Sequence, residues 1–359
     1  MKKIYYIAVV FAILFLAGCG DGIDLPGVNV ETDLNKIPLP DNNVNLEQVE
    51  LKPSTEPMLH EGLHTEEDFQ RIRDKKAAGE EPWVSAYQLL VESQFSQKTA
   101  DTYPTEWIKR GVSGDENYMN AARGATIAYQ QALRWKIEQD DEYAAKAVEN
   151  LNKWVQTCVG VTGNTNLSLA AGLYGYEFAI AGELLRDYEG WDRADFAAFQ
   201  NWLLKVFYPA NDDFLKRHHD TNALHYWANW CLCNIAAKMA IGIVTDRRDI
   251  YNEGIDHLQT GDTNGRLRRA IYHDYAPDYN FAQWQESGRD QGHTLMCVGL
   301  MGVICQLAWS QGDDFFAYDD NLFMRACEYA ACCNYTNETV PYTTYIWQKQ
   351  SQWGYPIPE

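Results

Sequence analysis

The decapeptide Gln285-Glu286-Ser287-Gly288-Arg289-Asp290-Gln291-Gly292-His293-Thr294 crowds two acids, an arginine, a histidine and two glutamines ahead of a long apolar run. Arg289 and His293 are one helical turn apart, so a helix or tight loop aims both the same way. A guanidinium can clasp a carboxylate through paired, charge-assisted hydrogen bonds, and an imidazole exchanges protons near neutral pH. Gly288 and Gly292 let the chain turn sharply and bring backbone donors close to a ligand. The plainer reading spends Arg289 on a salt bridge to Glu286 or Asp290.

Three more polar clusters precede apolar helical runs. One is Gly163-Asn164-Thr165-Asn166, with Tyr174 two turns further on. A second is Lys216-Arg217-His218-His219-Asp220, leading to Asn222 and His225. Asn222 and His225 are three residues apart and so share a helical face, with Tyr226 beside them. A purely structural reading makes Asn222 a helix cap and His225 a hydrogen-bonded core histidine. The third is the loop from Arg266 to Tyr279, where Tyr272, Tyr275 and Tyr279 lie in a segment too polar for core and suited to lining a cleft. His218, His219, His225, Asp220 and His293 could be metal ligands, but none has a familiar metal spacing, and no metal is expected. Phosphate loops, dinucleotide fingerprints and the serine-hydrolase elbow are missing as motifs.

These clusters need elements to bring them together. Apolar residues recur at three and four throughout, and strand-like alternation is nearly absent, which predicts an all-α protein. Thr65-Glu66-Glu67-Asp68 reads as a capping box that starts a helix. Further helices are expected at about 82–97, 117–139, 142–159, 167–188, 193–207, 222–243, 248–259, 292–311 and 321–334. A small-residue helix followed by a more amphipathic one returns about every 50 residues. Alanine and glycine let helices approach closely, as the inner ring of an α/α barrel requires, while an outer ring keeps a polar face. A tetratricopeptide-type solenoid is the competing architecture, but its repeat is shorter, about 34 residues. In a barrel, the four clusters would converge on one rim.

Composition sets limits. A formal net charge of −20 argues against a nucleic-acid partner, since phosphate binding needs a basic footprint. It leaves room for an acidic ligand held by a local knot of cations. Met1-Lys2-Lys3, the apolar stretch Ile4 to Leu16 and Leu16-Ala17-Gly18-Cys19 read as a lipoprotein signal over residues 1–18, with Cys19 the lipidated residue. Residues 19–57 read as a flexible tether and 58–359 as the folded domain. The expected location is the periplasm or outer membrane, with membrane attachment through the lipid alone. The other eight of the nine cysteines fall mostly in apolar helical runs and are expected as buried thiols, although an exported protein has room for one or two bridges. The sequence stops at Glu359 soon after a tyrosine-rich stretch, with no closing helix expected there; were the chain truncated, a closing piece of the barrel or a site residue would be missing.

The decapeptide, L-H-T-E-E-D-F-Q-R-I-R from Leu63, A-G-E-L-L-R-D-Y from Ala181 and Y-W-A-N-W-C-L-C-N-I-A-A-K-M-A-I-G-I from Tyr226 together resemble the alginate lyase family with an α/α toroid, particularly its exported lipoprotein members. The resemblance runs over nearly all of the chain from Leu59. It implies a polysaccharide lyase that cleaves a uronic-acid polymer, mannuronate-rich alginate or glucuronan, by β-elimination as a monomer without a cofactor. On that resemblance Asn222 and His225 neutralise the uronate carboxylate, and Arg289 stabilises charge or orients the sugar. Tyr279 and His293 exchange protons, with Tyr226 and Tyr275 as alternatives to Tyr279. Asn166, Tyr174, His219 and Gln285 are the expected substrate-binding residues. Relatives carry a contiguous Asn-His pair; here Ala223 and Leu224 intervene, and His293 stands about where a tyrosine is expected.

Two rivals remain at this point. A glycoside hydrolase on a similar barrel needs two carboxylates about 5 to 10 Å apart, for which Glu286, Asp290 and Asp220 are available. A glycan-binding lipoprotein needs the aromatics but no convergence of Arg, His and Tyr.

Overall fold

The computed structural model describes residues 54–335 and 340–343. The lipoprotein signal, Cys19 and the tether up to residue 53 lie outside the described residues. Residues 54–57 sit against the folded body: Arg248 donates to the carbonyls of Glu56 and Pro57 at 2.8 and 2.9 Å, and Asn252 to that of Ser54 at 2.9 Å.

The helices are α1 (Glu66–Ala77), α2 (Trp83–Glu92), α3 (Tyr118–Glu138), α4 (Asp141–Thr157), α5 (Leu167–Leu184), α6 (Arg193–Val206) and α7 (Tyr208–Arg217). They continue with α8 (Ala228–Val244), α9 (Arg248–Thr260), the single turn α10 (Leu267–Ala270), α11 (Gln291–Ser310) and α12 (Tyr318–Tyr335). The capping box is present at α1, where Thr65 Oγ1 accepts from Asp68 N–H at 3.2 Å and Thr65 N–H donates to Asp68 at 3.0 Å. Four short strands were not anticipated. β1 (Trp107–Arg110) pairs in parallel with β2 (Gly160–Gly163), and β3 (Ile271–Asp274) pairs antiparallel with β4 (Ala282–Trp284).

Helices α3, α5, α8 and α11 form the inner ring, and α4, α6, α7, α9 and α12 pack outside it. The inner helices run in parallel. At their N-terminal ends Tyr118 stacks on Tyr174, Ser168 meets His219, and Asn229 meets Glu286. At the other end Arg186, just past α5, donates to the last carbonyls of α8, Ile243 and Val244.

Small residues permit this closeness. A Cβ on Gly172 of α5 would lie 2.5 Å from Cys233 Sγ of α8. Nearly every residue of α8 is buried, including Lys238, whose ammonium bonds Asp212 of α7 at 2.8 Å and Glu253 of α9 at 2.5 Å. Helix α11 is long and apolar enough to cross a membrane, but most of it is buried in the core, which accounts for its composition. Among the described residues Cys158, Cys231, Cys233, Cys297, Cys305, Cys327, Cys332 and Cys333 are free thiols.

Two local departures matter. Helix α7, passed over in the sequence, starts with Pro209 in its first turn, where the missing N–H costs nothing. It ends in three residues with left-handed backbone, His218, His219 and Asp220, at φ 48°, 53° and 58°. The expected helix over 222–243 begins only at Ala228.

Candidate active site

The N-terminal rim of the inner ring gathers the four polar clusters. Asn222 and His225 do not share a helical face as expected, because residues 222–227 form a turn. Asn222 Oδ1 accepts from Leu224 N–H at 2.9 Å, and its carbonyl accepts from His225 N–H at 2.9 Å. Asn222 is exposed and His225 half-buried, with its ring edge-on to Tyr226. Asn264 holds this turn from the next loop, donating to the carbonyls of Leu224 at 3.1 Å and Tyr226 at 2.8 Å.

His219 shares a hydrogen bond with Ser168 in the first turn of α5, 3.0 Å away. His218 is turned inward onto Phe214, and burial lowers its pKa to about 4. Asn166 precedes α5 and donates to Asn164 Oδ1, while Tyr174 is buried against Tyr118.

The decapeptide divides between structure and display. Gln285 is buried, and its Oε1 accepts from Ala228 N–H at 2.8 Å, where α8 starts. Glu286 is fully buried and accepts from the backbone and side chain of Asn229 at 3.1 and 2.5 Å. Arg289 is bound to Glu286 at 3.0 Å, the salt bridge considered above, while its guanidinium lies over the Trp227 ring at 4.7 Å. Burial raises the Glu286 pKa, opposed by the Arg289 charge and the Asn229 N–H.

Asp290 caps α11 by accepting from His293 N–H at 2.8 Å, and its other oxygen lies 2.7 Å from His293 Nδ1. Burial pulls the Asp290 pKa up, but hydrogen bonds from His293 and the charges of His293 and Arg289 outweigh it, and the net shift is downward. With Nδ1–H donated to Asp290, a neutral His293 presents Nε2 as a proton acceptor.

Loop 275–281 joins β3 to β4. Tyr279 is 52% exposed in this loop, and its ring meets Tyr275 edge-on. The Tyr275 hydroxyl is already occupied, donating to Gln283 Oε1 at 2.5 Å and accepting from the Thr343 hydroxyl at 3.1 Å. Gln283 Nε2 also donates to Tyr272 at 3.1 Å. Arg266, named earlier only as the start of the polar loop, has a buried Nε with no hydrogen-bond partner. No carboxylate among the described residues pairs with it, in contrast to Arg289. Its adjacency to the Asn264 clasp, rather than any motif, is what singles it out.

The three acids available to the hydrolase reading are already committed. Glu286 is sealed in, Asp290 holds His293, and the exposed Asp220 pairs with Arg217 at 3.1 Å. Among the described residues no group of three or more His, Cys, Asp or Glu is arranged to hold a metal.

A cavity of about 290 Å³ lies at the opposite end of the barrel, lined by His60, His64, Glu66, Lys136, Glu183 and Asp187. Several of its polar groups already have partners: His64 meets Tyr129 at 2.6 Å, and Glu183 is forked onto Arg186 at 3.0 Å. That acid-rich lining suits a structural void better than a polyanion site.

A ring of parallel inner helices whose starts carry imidazoles, amides, phenols and guanidiniums defines an α/α toroid with a polar rim. Residues 72–338 match the alginate lyase family, and the chain belongs to that family of polysaccharide lyases. Similar solved structures include alginate lyase A1-III from Sphingomonas species A1, with 14% identity over 77% of this chain and 80% of that one and a TM-score of 0.53. A histidine-to-alanine variant of A1-III complexed with a tetrasaccharide has 13% identity over 77% and 78%, with a TM-score of 0.59. An alginate lyase from Bacteroides ovatus has 14% identity over 83% and 87%, with a TM-score of 0.55. No curated protein sequence matches the chain.

Proposed function

We propose that the chain cleaves alginate, in its mannuronate-rich form, or a related polyuronate such as glucuronan, by β-elimination at the N-terminal rim. The match to the family over residues 72–338 carries this reading. The rim's chemistry supports it. The proton on C5 of a uronate is weakly acidic because its removal places a second negative charge beside the carboxylate. Neutralising that carboxylate with fixed donors lowers the barrier.

Asn222 and His225 supply hydrogen-bond donors. Arg266, unpaired with any acid among the described residues, is better placed to supply charge than Arg289, which Glu286 already holds. His293, oriented by Asp290, takes the C5 proton through Nε2. The electrons of the C5–H bond form the C4–C5 double bond as the C4–O4 bond breaks, and the Tyr279 phenol gives its proton to O4. His219 and Asn166 bind neighbouring sugar units along the rim. The sequence-derived signal and tether make this enzyme an exported lipoprotein of the periplasm or outer membrane, and we take it to act as a monomer.

The test is to incubate the full-length protein with a panel of polyuronates and follow the ultraviolet absorbance of the new double bond. The expected result is rising absorbance on at least one polymer. Silence on all of them, from a folded sample, overturns the reading in favour of a glycan binder.

A further inference from the structure

Arg110 ends β1, in register with Gly163 of β2. That strand end is pinned, since a Cβ on Gly163 would fall 1.7 Å from the Arg110 carbonyl oxygen. The guanidinium carbon stands 4.6 Å from the centre of the Tyr118 ring, which lies nearly parallel to Tyr174, 13° and 6.4 Å away. The side chain therefore lies over the aromatic pair that joins the starts of α3 and α5. Nη1 of Arg110 is buried without a hydrogen-bond partner.

Three other cations near this rim are neutralised, whereas Arg266 at the α8 end is not. Lys109 meets Asp115 at 2.6 Å, Arg217 meets Asp213 at 2.5 Å, and Arg289 meets Glu286 at 3.0 Å. No acid among the described residues pairs with Arg110. A partly desolvated guanidinium with an empty donor edge is costly unless an anion completes it, and its fork matches a carboxylate.

We propose that Arg110 is a second carboxylate-binding point, holding a uronate unit other than the one that reacts and favouring long acidic chains over short fragments. This rests on the lyase reading. Arg110 lies at the β1–β2 end of the rim, whereas the proton-transfer groups lie at the α11 end, so a chain long enough to cross the mouth engages both.

The test compares wild type, R110A and R110K on the cleaved polyuronate and on its shortest cleavable fragment, with kcat and KM read separately by absorbance. R110A is expected to raise KM on the polymer by about 10-fold or more, the worth of a lost charge-assisted bond, with kcat within about 2-fold. R110K is expected to recover part of the loss, and the fragment to show little change. An unchanged KM in R110A, or an equal loss on polymer and fragment, overturns the proposal. If R110A is unfolded by circular dichroism, R110K against wild type gives the same comparison, and an unchanged KM there overturns it. If wild type cleaves nothing, the lyase reading has failed on its own. Calorimetric binding of the same polymers to wild type and R110A then decides, and equal affinity or no binding by either overturns the proposal.

Discussion

Asp290 Oδ2 lies 2.7 Å from His293 Nδ1, while Asp290 Oδ1 accepts the His293 backbone N–H at 2.8 Å. One carboxylate therefore both starts α11 and fixes which imidazole nitrogen faces outward. The two duties are separable. Asn is as good a helix cap as Asp but has no charge to stabilise an imidazolium. Asp290→Asn should leave the thermal midpoint within about 2 °C while lowering kcat by about 100-fold. Asp290→Ala should add a stability loss of about 1 kcal/mol, read by urea denaturation.

Arg289 is partly exposed but pairs with the fully buried Glu286, and removing the arginine strands that acid. Arg289→Ala is expected to cost about 3 kcal/mol or more by denaturant unfolding, because Glu286 is left as an unpaired acid in the core. Adding Glu286→Gln should restore much of that. A stable Arg289→Ala protein lacking activity would instead make Arg289 a substrate contact.

The His225 ring makes no hydrogen bond to another described residue, so His225→Ala should barely change stability. If the imidazole faces the uronate carboxylate, kcat/KM should fall by about 100-fold or more in the absorbance assay. Tyr279→Phe should show the same split, lower kcat with an unchanged melting curve, because the residue is exposed and its hydroxyl makes no hydrogen bond to another described residue.

Stability should respond to pH in two opposed ways. Burial lowers His218 and His257 to about 4, so the unfolded chain binds more protons between pH 6.5 and 4, and stability falls as pH drops through that window. Burial raises Glu177 to about 8, and its Oε2 has no hydrogen-bond partner. There the folded chain holds more protons between pH 4.5 and 8, and stability falls as pH rises. Glu177→Gln should therefore raise the urea midpoint more at pH 8 than at pH 5. An equal shift at both would show that Glu177 is not protonated in the folded state.

The inner and outer helices were legible because their apolar spacing is a local signal, and Thr65 with Asp68 marked a start within four residues. The gathering of polar groups on one rim was legible for the same reason where a cluster leads straight into an inner helix, as 163–166 does into α5 and 285–290 into α11. The turn at 222–227 was not. It follows three left-handed residues, none of them glycine, and depends on Asn264 donating from another loop. The fate of Arg289 was half legible: Glu286 is three residues away, but that acid is buried because Asn229 meets it from α8. Arg110 carried no signal at all, being one basic residue in a short strand whose meaning comes from Tyr118 and Tyr174 beneath it.

The amide of Asn264 works as a staple. By gripping the chain on either side of His225, it makes two neighbouring loops inherit each other's position, so a residue inserted or deleted in either would drag the histidine and Arg266 out of step together. Diversification of this enzyme should therefore proceed by exchanging side chains within 222–227 and 263–266 at constant length.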